Sequence, residues 1–417
     1  MSLTRWFEAL YSAAKAEVQG MPRRPLEWFT GIVMPIFWCV LVGIMFKTGL
    51  MTDLPVAVVD NDHSPQAQRA IDAIDALPSI SLVHYPNTLS ADRALRTAKV
   101  YGTIVIDRGY AASLLDPGAL PTPIVISLNK SYYATGTILE VDIKQTLASL
   151  KLQSGVRLKT VLSGGSLAAN SEHLRLATPD IYFNGNPAFN FNRYLLATLI
   201  PGLLVLAAAL TFAGVLVRDW RDGTVRAWLA SAEPYPTAAI LGKLLPWLTI
   251  YIAFSLLWVA LFAGPLGWAP AGSLMLWFVA SALLITATAA IVLFLSSLSL
   301  TWVLAVTSAV ALFAPTFPFT AFSYPFEAMT PGVRVFGEWL PLTHYLQIQG
   351  DIMVLNSPLD HVFGGLGKLA LFTVVPLIAG LPILAWRTHK WKALEEKSAH
   401  LWAADQAVKS EKEVSHA

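Results

Sequence analysis

Six long apolar stretches dominate this sequence, and their uneven spacing is its most restrictive feature. One stands alone near the N-terminus, and five follow in close succession after a long polar interval. A helix rises 1.5 Å per residue and the hydrocarbon core of a bilayer is about 30 Å thick, so one crossing needs about 20 apolar residues. The stretches are Phe29–Phe46, Tyr194–Val217, Leu244–Phe262, Ser273–Leu295, Trp302–Phe322 and Leu369–Trp386. They predict an α-helical membrane protein with six transmembrane helices.

The composition supports a membrane protein and argues against several other classes. Hydrophobic residues make up 55% of the 417 residues and charged residues only 13%, whereas about 25% of residues are charged in soluble domains. A net charge of +2 is too small to indicate a nucleic-acid surface. The single cysteine, Cys39, rules out a disulfide within one chain. The histidines are scattered, so we expect no metal site.

Lysine and arginine residues beside the apolar stretches predict the orientation, because these residues prefer the cytoplasmic side. They cluster before the first stretch, between the second and third, and after the sixth. The residues are Arg5, Lys15, Arg23, Arg24, Arg218, Arg221, Arg226, Lys243, Arg387, Lys390, Lys392 and Lys397. Both termini should therefore be cytoplasmic, and the polar interval should lie outside.

This orientation predicts five regions along the chain. They are a cytoplasmic interfacial helix (1–28), the first transmembrane helix (29–46), a periplasmic α/β domain (47–193), a five-helix transmembrane bundle (194–386) and a cytoplasmic tail (387–417). In the first region Trp6, Phe7 and Leu10 recur at helical spacing, so this helix should lie along the inner leaflet. Docking on a cytoplasmic protein surface is the alternative.

Strand-like and helix-like segments alternate within the polar interval. The strand-like runs are Leu54–Asp60, Ser81–Tyr85, Tyr101–Asp107 and Pro123–Leu128. Helices are expected at Pro65–Ala76 and Ala91–Ala98, each preceded by a capping serine, Ser64 or Ser90. A longer helix is expected at Thr135–Leu162. The alternation predicts a small α/β domain inserted between the first and second transmembrane helices.

The sequence lacks a phosphate-binding loop with which to bind ATP. Such a loop ends in Gly-Lys followed by Ser or Thr. Gly242-Lys243 and Gly367-Lys368 are each followed by leucine, and neither has the required upstream glycine. The segment Gly164–Ala168 begins like a nucleophile elbow but has alanine in place of the second glycine. We expect no catalytic residue and an energy source in another subunit.

Short motifs in a fixed order give the chain a resemblance to a known family. The motifs are Lys15-Ala16-Glu17, Arg23-Arg24-Pro25, Pro35, Val58–Ser64, Asn186-Pro187 and Pro201-Gly202. Their order and spacing resemble those of the ABC-2-type transporter permeases, the membrane subunits of type V ABC exporters. The likeness covers nearly the whole chain.

The resemblance implies a coupling helix after the second apolar stretch, on the cytoplasmic side. In the family this segment docks on the ATPase subunit. The matching residues are Arg218, Asp219, Trp220, Arg221, Asp222, Gly223, Thr224 and Glu233. Two residues after Thr224 the chain has Arg226, where the family usually has glutamate. A charged loop without a docking role would explain the arginines, but it explains Gly223-Thr224 less well.

The resemblance also implies a re-entrant hairpin on the outer side that closes the pathway. Prolines interrupt the apolar pattern there, and the matching residues are Pro315, Pro318, Pro325, Glu327, Pro331 and Pro341. Broken backbone at membrane depth is tolerated where protein buries it or a cavity adjoins it. The alternative is an outer amphipathic loop with His344 as an ordinary interfacial side chain.

These features predict the permease subunit of an ATP-driven exporter in the bacterial inner membrane. The implied partners are a cytoplasmic ABC ATPase subunit, which binds the ATP, and a second permease copy or paralogue. A periplasmic adaptor protein is a further candidate. The chain needs no cofactor of its own, and its apolar spans suit a hydrophobic or amphipathic cargo such as a drug or lipid.

Two other classes remain as alternatives. The first is a membrane receptor or sensor with an extracytoplasmic ligand-binding domain, although the cytoplasmic segments are short for a signalling domain. The second is a membrane enzyme such as a lipid-modifying transferase, for which the sequence shows no cluster of acidic residues or histidines.

Overall fold

The chain folds into two compact units. The computed structural model describes residues 3–46, 51–115, 124–129, 133–163, 191–321 and 324–415. One unit consists of Met1–Lys47 with Arg193–Ala417, and the other of Thr48–Asn192. The motifs Gly164–Ala168 and Asn186-Pro187 lie outside the described residues.

The smaller unit is built on a four-stranded sheet. Its strands are β1 (Leu54–Asp60), β2 (Ile80–His84), β3 (Gly102–Ile106) and β4 (Ile124–Leu128), in the order β2-β1-β3-β4. β1 pairs in parallel with β2 and β3, whereas β4 is antiparallel to β3. Parallel neighbours need crossover connections, which the helices between them supply. Residues 56–59 of β1 are all buried, as expected for a strand covered on both faces.

The helices of this unit follow the predicted pattern with one correction. They are α3 (Pro65–Asp75), α4 (Thr88–Arg96), α5 (Tyr110–Leu115) and α6 (Tyr133–Ser163). Ser64 caps α3 and accepts a hydrogen bond from Ala67 N at 3.1 Å. Ser90 is not a cap: α4 begins earlier, and the Asn87 side chain accepts a hydrogen bond from Ser90 N at 2.9 Å. The small α/β sheet is confirmed.

The larger unit is helical. Its elements are α1 (Leu3–Gly20), α2 (Pro25–Met45), α7 (Phe191–Asp222), α8 (Val225–Ala230), α9 (Pro236–Ala263), α10 (Leu274–Leu298), α11 (Trp302–Phe313), α12 (Thr316–Phe319), α13 (Pro331–Glu338), α14 (Pro341–Gly350) and α15 (Leu359–Ser415). In the described part of the chain, α2, α7, α9, α10 and α15 are long and apolar enough to cross a membrane. The protein is thus a multi-pass membrane protein.

The predicted crossing at Trp302–Phe322 takes a different form from the other five. Its helix, α11, has 12 residues and is about 18 Å long at 1.5 Å per residue, shorter than the hydrocarbon core. The short helix α12 follows after Pro315. The count of six crossings therefore stays a prediction.

Aromatic side chains with satisfied polar groups fill the centre of the helical unit. Tyr251, fully buried in α9, has its hydroxyl 2.9 Å from Thr211 Oγ1 on α7. The Tyr345 hydroxyl accepts a hydrogen bond from Trp277 Nε1 at 3.1 Å and one from the Ser281 hydroxyl at 3.2 Å. Buried Tyr and Trp usually find such partners, so these contacts fix how α7, α9, α10 and α14 pack.

The N-terminal helix α1 packs on the start of α9 through small residues. A Cβ built at Gly242 would lie 2.6 Å from Ala13 Cβ and 2.7 Å from Leu10 O. Small residues permit such close approach of two backbones. On another face of α1, Phe7 and Tyr11 are exposed. One face is therefore docked on protein, and contact of the other with the inner leaflet stays a prediction.

Candidate functional site

Buried charges cluster where α1, α2 and α7 meet. Arg218, near the end of α7, donates to both carboxylate oxygens of Glu17 on α1, at 2.7 and 3.0 Å. Its Nη1 also donates to Glu27 Oε2 on α2 at 2.8 Å. The Arg218 and Glu17 side chains are each only 4% exposed. One guanidinium thus joins three helices by charge-assisted hydrogen bonds, of which the pair to Glu17 is bidentate.

Asp219 extends the ion cluster to α9. Its carboxylate accepts hydrogen bonds from Lys243 Nζ and from the Thr224 hydroxyl, the latter at 2.5 Å. Lys243 is buried, and its Nζ lies 4.5 Å from the ring centroid of Trp228, a cation–π contact. The ends of α7 and α9 are therefore linked beside the turn that connects α7 to α8.

Trp247 connects the ion cluster to an irregular turn of α2. Its Nε1 donates to Glu17 Oε1 at 3.2 Å. A Cβ built at Gly31 would lie 2.7 Å from the Trp247 ring, so α2 approaches this ring closely. Gly31 belongs to the π-helical turn Phe29–Val33, and such turns occur frequently at functional sites.

The charges of the ion cluster balance. Its acidic members are Glu17, Glu27 and Asp219, and its basic members are Arg24, Arg218 and Lys243. An unpaired buried charge is costly, and pairing with good hydrogen bonds offsets that cost. We expect these charges to stay paired only while the four helices keep their positions.

Acid should weaken this cluster. Burial alone would raise the pKa of Glu17, but hydrogen bonding to Arg218 and the charges of Arg218 and Lys243 outweigh it and lower the pKa below its usual value. A carboxyl with a lowered folded-state pKa contributes stability above its unfolded pKa, about 4.3. This stability is lost as pH falls through the folded-state value.

Thermal unfolding in detergent should therefore depend on pH less in Glu17→Gln than in the wild type below about pH 4.3. Glu8→Gln, at an exposed position of α1, is the matched control, and equal pH profiles for wild type and Glu17→Gln would contradict the assignment.

An exposed charged turn follows the ion cluster directly. Its residues, Arg221–Thr224, are all exposed, and Gly223 has φ of +69°, which favours glycine. Thr224 N donates to Asp219 O at 2.9 Å, which closes the turn. Arg221 Nε pairs with Asp222 Oδ1 at 2.7 Å. This exposed turn is accessible to another protein, and Thr224 anchors it to the buried Asp219.

The residues predicted to form the coupling helix fall into two groups. Arg218 and Asp219 are buried, and Trp220 is half-buried with its ring centroid 5.4 Å from that of Trp228. The four residues of the exposed turn are accessible, as is Glu233 in the turn before α9. Only the accessible residues can contact a partner in this conformation, and Arg218 and Asp219 are not among them.

Sequence reasoning did not place Glu17, Glu27 and Trp247 in the site, although Glu17 belongs to the quoted motif Lys15-Ala16-Glu17. The available signal was that charged residues of opposite sign stand beside three different apolar stretches. Charges at such places are expensive and usually pair, which could have suggested a single cluster.

The residues predicted for the outer hairpin lie in a series of short elements. Pro315 precedes α12 and Pro318 lies within it. Pro325 precedes the 3₁₀ turn Phe326–Ala328, which contains Glu327, and Pro331 and Pro341 are the first residues of α13 and α14. Pro341 is buried, whereas Pro318, Pro325, Glu327 and Pro331 are exposed.

The segment predicted to form the outer hairpin folds back on itself. A Cβ at Gly337 would lie 2.3 Å from Phe319 O, and the rings of Phe319 and Phe336 meet edge to face with centroids 5.1 Å apart. His344, in the mostly buried helix α14, has Nε2 2.8 Å from Glu338 O and stacks on Phe372. His344 is therefore buried among protein groups, unlike an ordinary interfacial side chain. Whether the segment re-enters the membrane stays a prediction.

Comparison with known proteins shows the family to which the chain belongs. Residues 27–381 match the model of the ABC-2 family transporter proteins, which covers most of the chain. The chain belongs to this family. It is also 22% identical over 347 residues to a protein of Escherichia coli strain K12 named "Probable multidrug ABC transporter permease YbhS", across 82% of this chain and 88% of that protein. The protein of the same name in Escherichia coli O157:H7 matches equally. This ABC-2 family permease is thus a membrane transport component.

Proposed function

We propose that this ABC-2 family permease forms the membrane pathway of an exporter whose ATP is bound and hydrolysed by a separate cytoplasmic ATPase subunit. Its own chain then carries no catalytic residue and needs no cofactor. A receptor or sensor role is not favoured, because the family is one of transporters. The observation that supports coupling most directly is the exposed turn Arg221–Thr224 joined to a buried ion cluster.

The physical argument concerns how a force on the exposed turn would spread. The turn includes the last two residues of α7, and Asp219 binds Lys243 on α9 while Arg218 binds Glu17 on α1. A displacement of the turn would have to move these helices together or separate buried charges, and separation costs several kcal/mol. Binding of ATP by the partner can therefore tilt several helices as one body.

The proposal includes a topology and an assembly. Six crossings, cytoplasmic termini and a periplasmic α/β unit follow the distribution of lysine and arginine along the sequence. A bacterial inner membrane location is consistent with the relatives named above. A second permease copy or paralogue would complete the pathway, and the α/β unit offers a surface for a periplasmic adaptor protein.

The proposed cargo is a hydrophobic or amphipathic compound. The apolar character of the helices and the multidrug designation of the two relatives support this class. The prolines and Glu327 of the outer segment would then form the outer gate. Identification of copurified lipids and drugs by mass spectrometry of the intact complex tests this class of cargo.

Gly223 provides the test of coupling. A Cβ there meets nothing within 4 Å, but its φ of +69° strains most side chains. Gly223→Val should distort the exposed turn at a cost of about 1–2 kcal/mol and strongly reduce transport-coupled ATP hydrolysis in vesicles containing the permease and its ATPase. Gly223→Asn is the matched control, because asparagine tolerates this conformation, and it should retain most activity. Normal complex formation and transport by Gly223→Val would refute the coupling role.

A further inference from the structure

A groove between α2, α7 and α11 is charged at one end and apolar along the rest. Its volume is about 730 Å³, within the size range of small-molecule sites. Glu27, Arg221 and Trp302 line the charged end, and Met34, Leu206 and Leu210 are among the apolar residues along its length. Glu27 and Arg218 are in contact at the same end, so α2 and α7 lie antiparallel with their charged ends together.

The shape fits one extended apolar chain. Trp38 lines the groove eleven residues beyond Glu27 on α2, which corresponds to about 16 Å of helix. The side chains between these levels are apolar apart from Thr30, whose hydroxyl donates to Leu26 O at 2.8 Å, and Thr211, whose hydroxyl donates to Ala207 O. These hydroxyls are already hydrogen-bonded, so the length of the groove offers an apolar tail little but van der Waals contact.

The charged end presents both signs of charge. The Arg221 side chain is 48% exposed, and its guanidinium lies 5.6 Å from the ring centroid of Trp302. In the described contacts Arg221 uses Nε and Nη2, both to Asp222, and guanidinium carries further N–H donors on Nη1. Glu27 Oε2 pairs with Arg218 and lies 4.0 Å from Arg24 Nη1, and the Glu27 side chain is 25% exposed. A cation and an anion are therefore side by side at the rim.

We propose that this groove binds a zwitterionic phospholipid with a phosphoethanolamine head. Its phosphate would accept hydrogen bonds from the Arg221 guanidinium, and its primary ammonium would donate one to the Glu27 carboxylate. One acyl chain would lie along the groove between α2 and α7. A purely anionic head would satisfy Arg221 but would offer no N–H donor to Glu27 Oε1. A choline head has no N–H to donate to Glu27. Because the site requires only the permease in a membrane, it does not depend on the ATPase partner proposed above.

The lipid then contacts residues that belong to both parts of the functional site. Arg221 is in the exposed turn, and Glu27 binds Arg218 in the ion cluster. A bound head group would bridge the two and hold α2 against the end of α7. Lipid binding would thereby stabilise the arrangement that carries the exposed turn.

Native mass spectrometry of the purified permease alone can test this site. The probes are phosphatidylethanolamine, phosphatidylcholine and phosphatidylglycerol with identical acyl chains, added in equal amounts. We expect phosphatidylethanolamine to bind about tenfold more tightly than either of the others, equivalent to about 1.4 kcal/mol. Equal retention of the three lipids, or preference for phosphatidylglycerol, would overturn the proposal.

Variants place the bound lipid in the groove. Ala207→Trp should fill the apolar part and abolish the preference, whereas Ala260→Trp, at an exposed position of α9 that does not line the groove, should keep it. Gly214→Leu is a second filling variant, because a Cβ there meets Trp302 Nε1 only at 3.8 Å. Arg221→Gln should remove the preference at the rim. Unchanged lipid binding in the filling variants would show that the lipid binds elsewhere. Loss of an oligomer with lipid binding intact would show that a second copy of the chain covers the groove. Either result would overturn the proposal.

Discussion

Replacing Arg218 by methionine should destabilise the protein by about 3–5 kcal/mol, the usual cost of removing one partner from a buried ion pair. The change leaves Glu17, whose side chain is 4% exposed, without its bidentate partner, and it removes the nearer of the two arginines at Glu27. Methionine keeps much of the length and the apolar stem of the side chain, so the loss of stability measures the effect of removing the charge. Unfolding in detergent, followed by circular dichroism, measures it at pH 7.

The matched control is Arg221→Met, three residues further along. Its partner Asp222 is exposed, and exposed pairs contribute about 0–1 kcal/mol. The double variant Arg218→Met with Glu17→Gln should recover part of the loss, because it also removes the carboxylate that Arg218→Met leaves without its bidentate partner. A loss in Arg218→Met no greater than that in Arg221→Met would show that the ion cluster does not hold the helices together.

A single added methyl group at Gly242 should separate α1 from α9. The new Cβ would lie 2.7 Å from a backbone oxygen of α1 as well as 2.6 Å from Ala13 Cβ, and backbone atoms cannot move aside alone. Gly242→Ala should therefore cost about 1–3 kcal/mol, although alanine is intrinsically the better helix former. Faster hydrogen exchange confined to α1 and its contacts would accompany the loss.

Gly43→Ala is the control for helix propensity. A Cβ at Gly43 in α2 meets nothing within 4 Å, so this change should be neutral or stabilising by up to about 1 kcal/mol. The two glycine variants thus differ in sign. Similar small effects for both would mean that α1 does not pack on α9 in the native protein.

Much of the fold follows from local patterns. The strand Leu54–Asp60 has the predicted limits, and Ser64 caps the predicted helix, because alternation, capping residues and proline act within a few residues of sequence. The cap at Asn87 rather than Ser90 was missed because both residues are good caps and only the packed sheet decides where the helix begins. The prolines after α11 predicted a break in the helix. The length of the broken segment depends on tertiary contacts such as that of Gly337 with Phe319.

Only part of the candidate site could be predicted from the sequence. The charged segment after the second apolar stretch was found as a motif, and four of its residues are exposed as docking would require. The sequence could not predict that Arg218 and Asp219 point inward. Near the end of a membrane-spanning helix, a charged side chain can point either towards the protein or towards solvent.

The sequence by itself determined that the chain is a membrane protein with a separate α/β unit, because hydropathy and strand periodicity are properties of neighbouring residues. Only the tertiary structure decided that Glu17, Glu27, Arg218 and Lys243 share one buried cluster. These residues are far apart in sequence, and pairing between distant charges is selected by the packing of whole helices, on which no local pattern reports.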